Sequence, residues 1–163
     1  MNTGRSKLPK KPVQCVTEKR NQSNNVKSLK IYGSNAAGIK CKLKSFDDML
    51  VRLNPQIWML QETKLKPSER IKSKFVDDFQ VFYLSRQNSQ GGGLALGLTK
   101  DLESTLIREG DDCVEAMAVQ VLVGNLSIRL ILAYGAQEKE LKENKDKFLK
   151  FIEEEVVIAE NEK

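Results

Sequence analysis

Histidine is absent from all 163 residues, and cysteine occurs only at Cys15, Cys41 and Cys113, widely scattered and without metal-ligand spacing. Little is left from which to build a zinc centre, which needs imidazoles or closely spaced thiolates. An odd, scattered set of cysteines reads as reduced thiols of an intracellular protein, nuclear or cytoplasmic, two of them packing groups. No apolar run approaches the roughly 18 residues of a membrane span, so no membrane partner is expected. The first residues lack the apolar core of a secretory signal. Neither an internal repeat nor a low-complexity block stands out.

What is present suffices for one domain with a genuine core, since 40% of the chain is hydrophobic. The net charge of +5 is unevenly placed. Residues 1–30 hold eight Lys/Arg against the single acid Glu18, a net +7, which leaves −2 on the remainder. With Pro9, Pro12 and many Ser, Asn and Gln, residues 1–27 read as a basic, disordered arm. Lys7-Leu8-Pro9-Lys10-Lys11 suits nuclear targeting or loose phosphate contact, and equally a solvated tail.

From residue 28 onward the pattern alternates between strand and helix. Lys30–Ser34 reads as a strand. A helix follows, with Ser45 as N-cap, Asp48 three residues on, Phe46, Met49, Leu50 and Leu53 on one face, and Asn54-Pro55 as its stop. Ile57–Leu60 is an all-apolar strand, as expected for one covered on both faces. Strand, helix, strand in about thirty residues is a crossover unit of an α/β architecture. Residues 64–78 are charged and read as a surface loop. Gln80–Leu84 and Leu94–Leu98 flank Gln90-Gly91-Gly92-Gly93 as an antiparallel hairpin. A phosphate-cradling loop would run into a helix instead, so turn chemistry accounts better for the glycines. Thr105–Arg108 and Val114–Val123 supply further strands, and Gly124-Asn125 joins the latter to Leu126–Tyr134 as a tight hairpin. Leu141, Phe148, Ile152 and Val156 then recur at helical spacing from about Lys139 to Glu160, with Glu153-Glu154-Glu155 as a solvated face.

Three of these strands end in a polar side chain that can do chemistry: Asn35, Glu62 and Tyr134. Glu62 in Gln61-Glu62-Thr63-Lys64 delivers one carboxylate to a sheet edge. Magnesium needs no more than one or two such ligands when a phosphate supplies further oxygens. Each residue also has a plain structural reading: a solvated strand-end acid for Glu62, a turn residue before Gly38 for Asn35, an aromatic packing group for Tyr134. Trp58, amid apolar neighbours, is a core residue rather than a base-stacking one. Asp77-Asp78 and Asp111-Asp112 have no spacing that pairs them with Glu62, and loops account for them.

In order and spacing, Asn35-Ala36-Ala37-Gly38, Gln61-Glu62-Thr63-Lys64 and the strand ending at Tyr134 resemble the endonuclease/exonuclease/phosphatase superfamily. Within it the chain is most similar to the endonuclease domains of non-LTR retrotransposons and related reverse-transcriptase polyproteins. The resemblance covers about residues 28–160 and corresponds to the N-terminal half of that domain. It implies a partial four-layer α/β sandwich, its sheets mostly antiparallel, with flanking helices. It further implies catalytic roles for Asn35, Glu62 and Tyr134, with Glu62 as a ligand of weakly bound Mg2+ (or Mn2+) and Lys64 keeping it ionised. The partner implied is nucleic acid, DNA before RNA.

The chain departs from the family where it matters for catalysis. Ala136-Gln137 stands where Pro-Asn or Pro-Gln is usual. Gly-Asp-x-Asn, a further Asp and the closing Ser-Asp-His of the second half are not found. Such enzymes attack the phosphodiester with an activated water while the metal, amide and phenol stabilise phosphoryl charge. Only part of that second component is here, so a truncated domain with little or no activity alone is expected. An uncovered face along Leu126, Ile128, Leu130 and Leu132 implies self-association or a missing C-terminal half. A non-catalytic nucleic-acid-binding module and a phosphatase-type member of the superfamily are the alternatives.

Overall fold

The computed structural model describes residues 28–86, 91–111, 114–135 and 142–161. The basic arm of residues 1–27, Cys15, Cys113, Gln90, Asp112 and Leu141 lie outside them. The elements are β1 (Ile31–Asn35), a 3-10 turn (Ile39–Lys42), α1 (Leu43–Leu53), β2 (Ile57–Gln61), β3 (Phe79–Leu84), β4 (Leu94–Thr99), β5 (Glu103–Glu109), β6 (Ala116–Val123), β7 (Leu126–Ala133) and α2 (Lys142–Asn161).

The crossover unit forms as its hydrophobic pattern requires, with β1 and β2 parallel and Ile31 opposite Ile57. β4 pairs antiparallel with both β2 and β3, so the first sheet has the order β1-β2-β4-β3. The second sheet is β5-β6-β7, antiparallel throughout, with Val123 opposite Leu126 across the Gly124-Asn125 turn. Gly124 there has φ +61, a left-handed value that glycine adopts without a Cβ penalty.

The two sheets pack face to face and bury Ile57, Leu94, Leu96 and Leu98 against Met117, Val119, Val121 and Leu132. On the outer face of the first sheet α1 places Phe46, Met49 and Leu50 against Trp58 and Leu60. On the outer face of the second sheet α2 places Phe151 against Ala116 and Ile131. Helix, sheet, sheet, helix is the α/β layering that the resemblance implies, with a mixed first sheet and an antiparallel second. Trp58 is fully buried, with the Phe46 ring edge-on at 5.2 Å. Opposite it, a Cβ on Gly97 would lie 2.1 Å from Trp58 Cε2, so only glycine fits there.

Several local expectations are corrected. Ser45 does not cap α1; the 3-10 turn winds the chain up to Lys42, and the helix begins at Leu43 with no side-chain cap. Leu53 stays 41% exposed, because the helix stops one residue later where Asn54 turns left-handed (φ +44). Residues 64–78 are no mere surface loop: Leu65, Ile71 and Val76 are buried in the α1-side core. In α2 the buried face carries Phe148, Phe151 and Ile152, whereas Val156 is 45% exposed. Glu155 is not solvated; it is 1% exposed and paired with Arg129 at 3.1 Å and Arg108 at 3.4 Å. Those two arginines set the rotation of the helix. Cys41 is exposed and free. On β7 Leu132 is buried and Ile128 and Leu130 are partly covered by the opposing sheet, leaving only Leu126 open. Among the described residues no helix is long and apolar enough to cross a membrane.

Candidate functional site

The C-terminal ends of β1, β2 and β7 meet at one edge of the sandwich. Asn35 is the last residue of β1 and pairs in register with Gln61 at the end of β2. Glu62 follows Gln61, and Tyr134 follows Ala133 at the end of β7. The two sheets are tied at this edge by Gln61, whose Nε2 donates to the carbonyl of Ala133 at 2.6 Å.

All three expected side chains converge on one atom. Asn35 Nδ2 donates to Glu62 Oε1 at 3.1 Å, and the Tyr134 hydroxyl donates to the same oxygen. Asn35 is itself fixed, because its Oδ1 accepts the Ala37 N–H at 2.9 Å in a local turn. The Tyr134 hydroxyl and then the Asn35 amide hold the Glu62 carboxyl below its ordinary range, helped by the positive charges of Lys64 and Arg86. Hydrogen bonds to the charged form are what lower a carboxyl pKa. Glu62 is thus kept anionic, and among the described residues no hydrogen bond or ion pair engages its Oε2.

The backbone beneath is stitched and strained. Ala36 N–H donates to the Gln61 carbonyl, Gly38 N–H to that of Glu62 and Ile39 N–H to that of Thr63, extending the β1–β2 pairing past the strand ends. Thr63 and Lys64 in turn donate to the carbonyls of Gly93 and Gly92 at 2.9 and 2.8 Å. Glu62, Lys64 and Ala37 all adopt positive φ, +51, +54 and +46, which costs non-glycine residues energy and persists only where surroundings enforce it. Gly91, Gly92 and Gly93 form a turn leading into β4 rather than into a helix, with φ of +110, +63 and +88. A Cβ on Gly93 would lie 2.6 Å from the Thr63 hydroxyl.

Two residues at this edge escaped the sequence reading. Glu115 is 5% exposed, and its Oε2 takes both Arg86 Nε at 2.8 Å and Arg86 Nη2 at 2.6 Å. Its other oxygen accepts the Gly93 N–H. The one available signal was an acid inside the apolar stretch Val114–Val123. Asp77 and Asp78 immediately precede β3, at the opposite end of the first sheet from Glu62. Among the described residues no group of three or more His, Cys, Asp or Glu side chains is placed to hold a metal ion. The donor set fits a divalent ion only as a single carboxylate oxygen, completed by water and substrate.

No protein-family model and no curated protein matches the chain. Solved structures do. A 3' phosphatase, NExo from Neisseria, bound to a product DNA hairpin, is 19% identical over 79% of this chain and 51% of its own, with a TM-score of 0.59. The endonuclease domain of TRAS1, a telomere-specific non-LTR retrotransposon, is 14% identical over 76% and 53%, TM-score 0.58. TDP2 from Caenorhabditis elegans is 15% identical over 83% and 43%, TM-score 0.60. The chain spans about half the length of these structures and has the fold shared by nucleases and phosphatases of the endonuclease/exonuclease/phosphatase type.

Proposed function

We propose that residues 28–163 are the N-terminal half of a metal-dependent phosphodiesterase domain of the endonuclease type, of retrotransposon origin. The observation that carries this reading is the convergence of Asn35 and Tyr134 on one oxygen of Glu62 at a shared strand edge. Glu62 would hold a magnesium or manganese ion through its remaining oxygen, and the ion, when bound, supplies positive charge against a phosphoryl group. A phosphate oxygen arriving there meets the second N–H of the Asn35 amide, and the single Tyr134 O–H reaches it only by turning away from Glu62 Oε1. Lys64, exposed beside them, adds positive charge. DNA is the favoured substrate, since the NExo structure described above holds DNA.

Catalytic power is another matter. A general base is worth about 10² to 10⁴ in rate, and the described residues gather no group of three or more His, Cys, Asp or Glu side chains around Glu62, while the carboxylate of Glu115 is already taken by Arg86 and the Gly93 N–H. The polypeptide alone therefore has little or no activity and depends on a second half for the rest of the site. The test is nicking of supercoiled plasmid in Mg2+ by the purified chain, beside Glu62→Ala and a chelator control. The expected result is no nicking above background. Robust nicking lost in both controls would show a complete site. Salt-dependent DNA binding that survives Glu62→Ala, without nicking, favours a non-catalytic binding module. Turnover of small phosphate monoesters, but not DNA, favours a phosphatase.

A further inference from the structure

Glu115 stands next to the candidate site without touching Glu62, and it reaches the site along two separate routes. Its side chain accepts the Gly93 N–H and grips Arg86 with one oxygen at 2.6 and 2.8 Å. The carbonyls of Gly92 and Gly93 then accept the N–H groups of Lys64 and Thr63, the residues directly following Glu62. Its own carbonyl accepts the N–H of Tyr134 at 2.8 Å. One residue therefore governs both the segment that bears the carboxylate and the residue that donates to it.

The surroundings are shaped for this contact. A Cβ on Gly92 would lie 2.7 Å from Glu115 Oε2 and 2.6 Å from Arg86 Nε, so the turn closes on the ion pair only because it lacks side chains. A buried carboxylate is costly unless paired and hydrogen-bonded, and here both of its oxygens are engaged. The left-handed φ of Glu62 and Lys64 needs a rigid support that outweighs its cost, and the clamped glycine turn is that support.

We infer that Glu115, neutralised by Arg86, is the positioning residue of the Glu62 centre: its side chain locks the glycine turn that holds residues 62–64 in their left-handed conformation, while its main-chain carbonyl, which any residue would supply, holds the Tyr134 N–H. The assignment rests on Glu62 being the functional centre, but its test does not require catalysis. Amide hydrogen exchange is measured on the full chain, on Glu115→Ala and on a control, Glu155→Gln, which alters a buried ion pair under α2 instead. In Glu115→Ala the amides of Thr63, Lys64 and Gly93 exchange about tenfold faster or more, as expected when a hydrogen bond to a charged group is lost, while Met59 and Leu96 inside the sheet stay protected. Glu155→Gln lowers the melting temperature without singling out those three. Mn2+ alone, titrated into the folded proteins, binds about 10- to 100-fold more weakly to Glu115→Ala and unchanged to Glu155→Gln.

If Glu115→Ala does not fold, the isosteric Glu115→Gln carries the test and gives a smaller acceleration at the same three amides. Exchange at Thr63, Lys64 and Gly93 that changes no more than at Met59, in a folded Glu115 variant, overturns the inference. Selective exchange in a chain that binds no Mn2+ supports the positioning role while removing the metal reading of Glu62.

Discussion

On the outer face of the four-stranded sheet, α1 covers Trp58 and Leu60 with Phe46, Met49 and Leu50, an apolar contact in which Trp58 Nε1 is buried without a protein partner among the described residues. On the outer face of the three-stranded sheet, α2 combines Phe151 with a buried Glu155 held by Arg129 and Arg108. The first cover is stabilised by area removed from water and by the fit of its rings, with no charge that must be paired. The second depends on pairing, because each charge taken from water must find its opposite. A helix seated by shape and a helix seated by charge fail differently.

The largest expected effect tests the apolar cover. Trp58→Ala removes the ring between Phe46 and Phe79 and costs about 3–5 kcal/mol, read from the urea midpoint. Glu155→Ala tests the charged cover: Arg129, 5% exposed at its side chain, loses its buried partner at a cost of about 3 kcal/mol. The paired replacement Glu155→Leu with Arg129→Met should recover most of that loss, since a well-packed apolar pair replaces the ion pair. A double variant as unstable as Glu155→Ala would mean that α2 needs the charges themselves. Leu53→Ala is expected to cost less than about 1 kcal/mol in the same measurement, because that side chain is already 41% exposed.

The smallest effect concerns the strand-end edge that the two covered sheets share. Tyr134→Phe removes the main donor to Glu62 and raises its pKa toward the ordinary glutamate value of 4.5. In the folded chain that pKa is depressed, so Glu62 adds stability above the unfolded value, and this is lost as pH falls through the lower folded value. Unfolding measured from pH 6 downward should show a weaker Glu62-dependent loss below pH 4.5 in Tyr134→Phe than in the unsubstituted chain. Identical slopes would mean that the hydroxyl does not stabilise the ionised carboxylate.

These contrasts explain what could be read in advance. The apolar cover was legible because Phe46, Met49 and Leu50 recur at helical spacing and Ile57–Leu60 is an unbroken apolar run, both local properties. The charged cover was misread: Glu153-Glu154-Glu155 has the composition of a solvated face, and nothing nearby in sequence announces Arg108 or Arg129. The phase of α2 differs for the same reason: the apolar spacing points Val156 inward, where the structure buries Glu155. Ser45 with Asp48 three residues on has the spacing of an N-terminal cap, whereas the preceding 3-10 turn has already started the helix.

At the candidate site the division is similar. Strand periodicity determined that Asn35, Glu62 and Tyr134 stand at strand ends, because alternation and apolar runs end where polar side chains begin. Hairpin turns and the crossover unit were likewise written in neighbouring residues. Only the tertiary structure decided that the three meet on a single carboxylate oxygen, that Gln61 reaches across to Ala133, and that Arg86 and Glu115 clamp Gly92 and Gly93 against Thr63 and Lys64. Periodicity reports the face a residue occupies. Pairing between charges twenty-nine positions apart depends on how two sheets stack, and no local pattern encodes that distance.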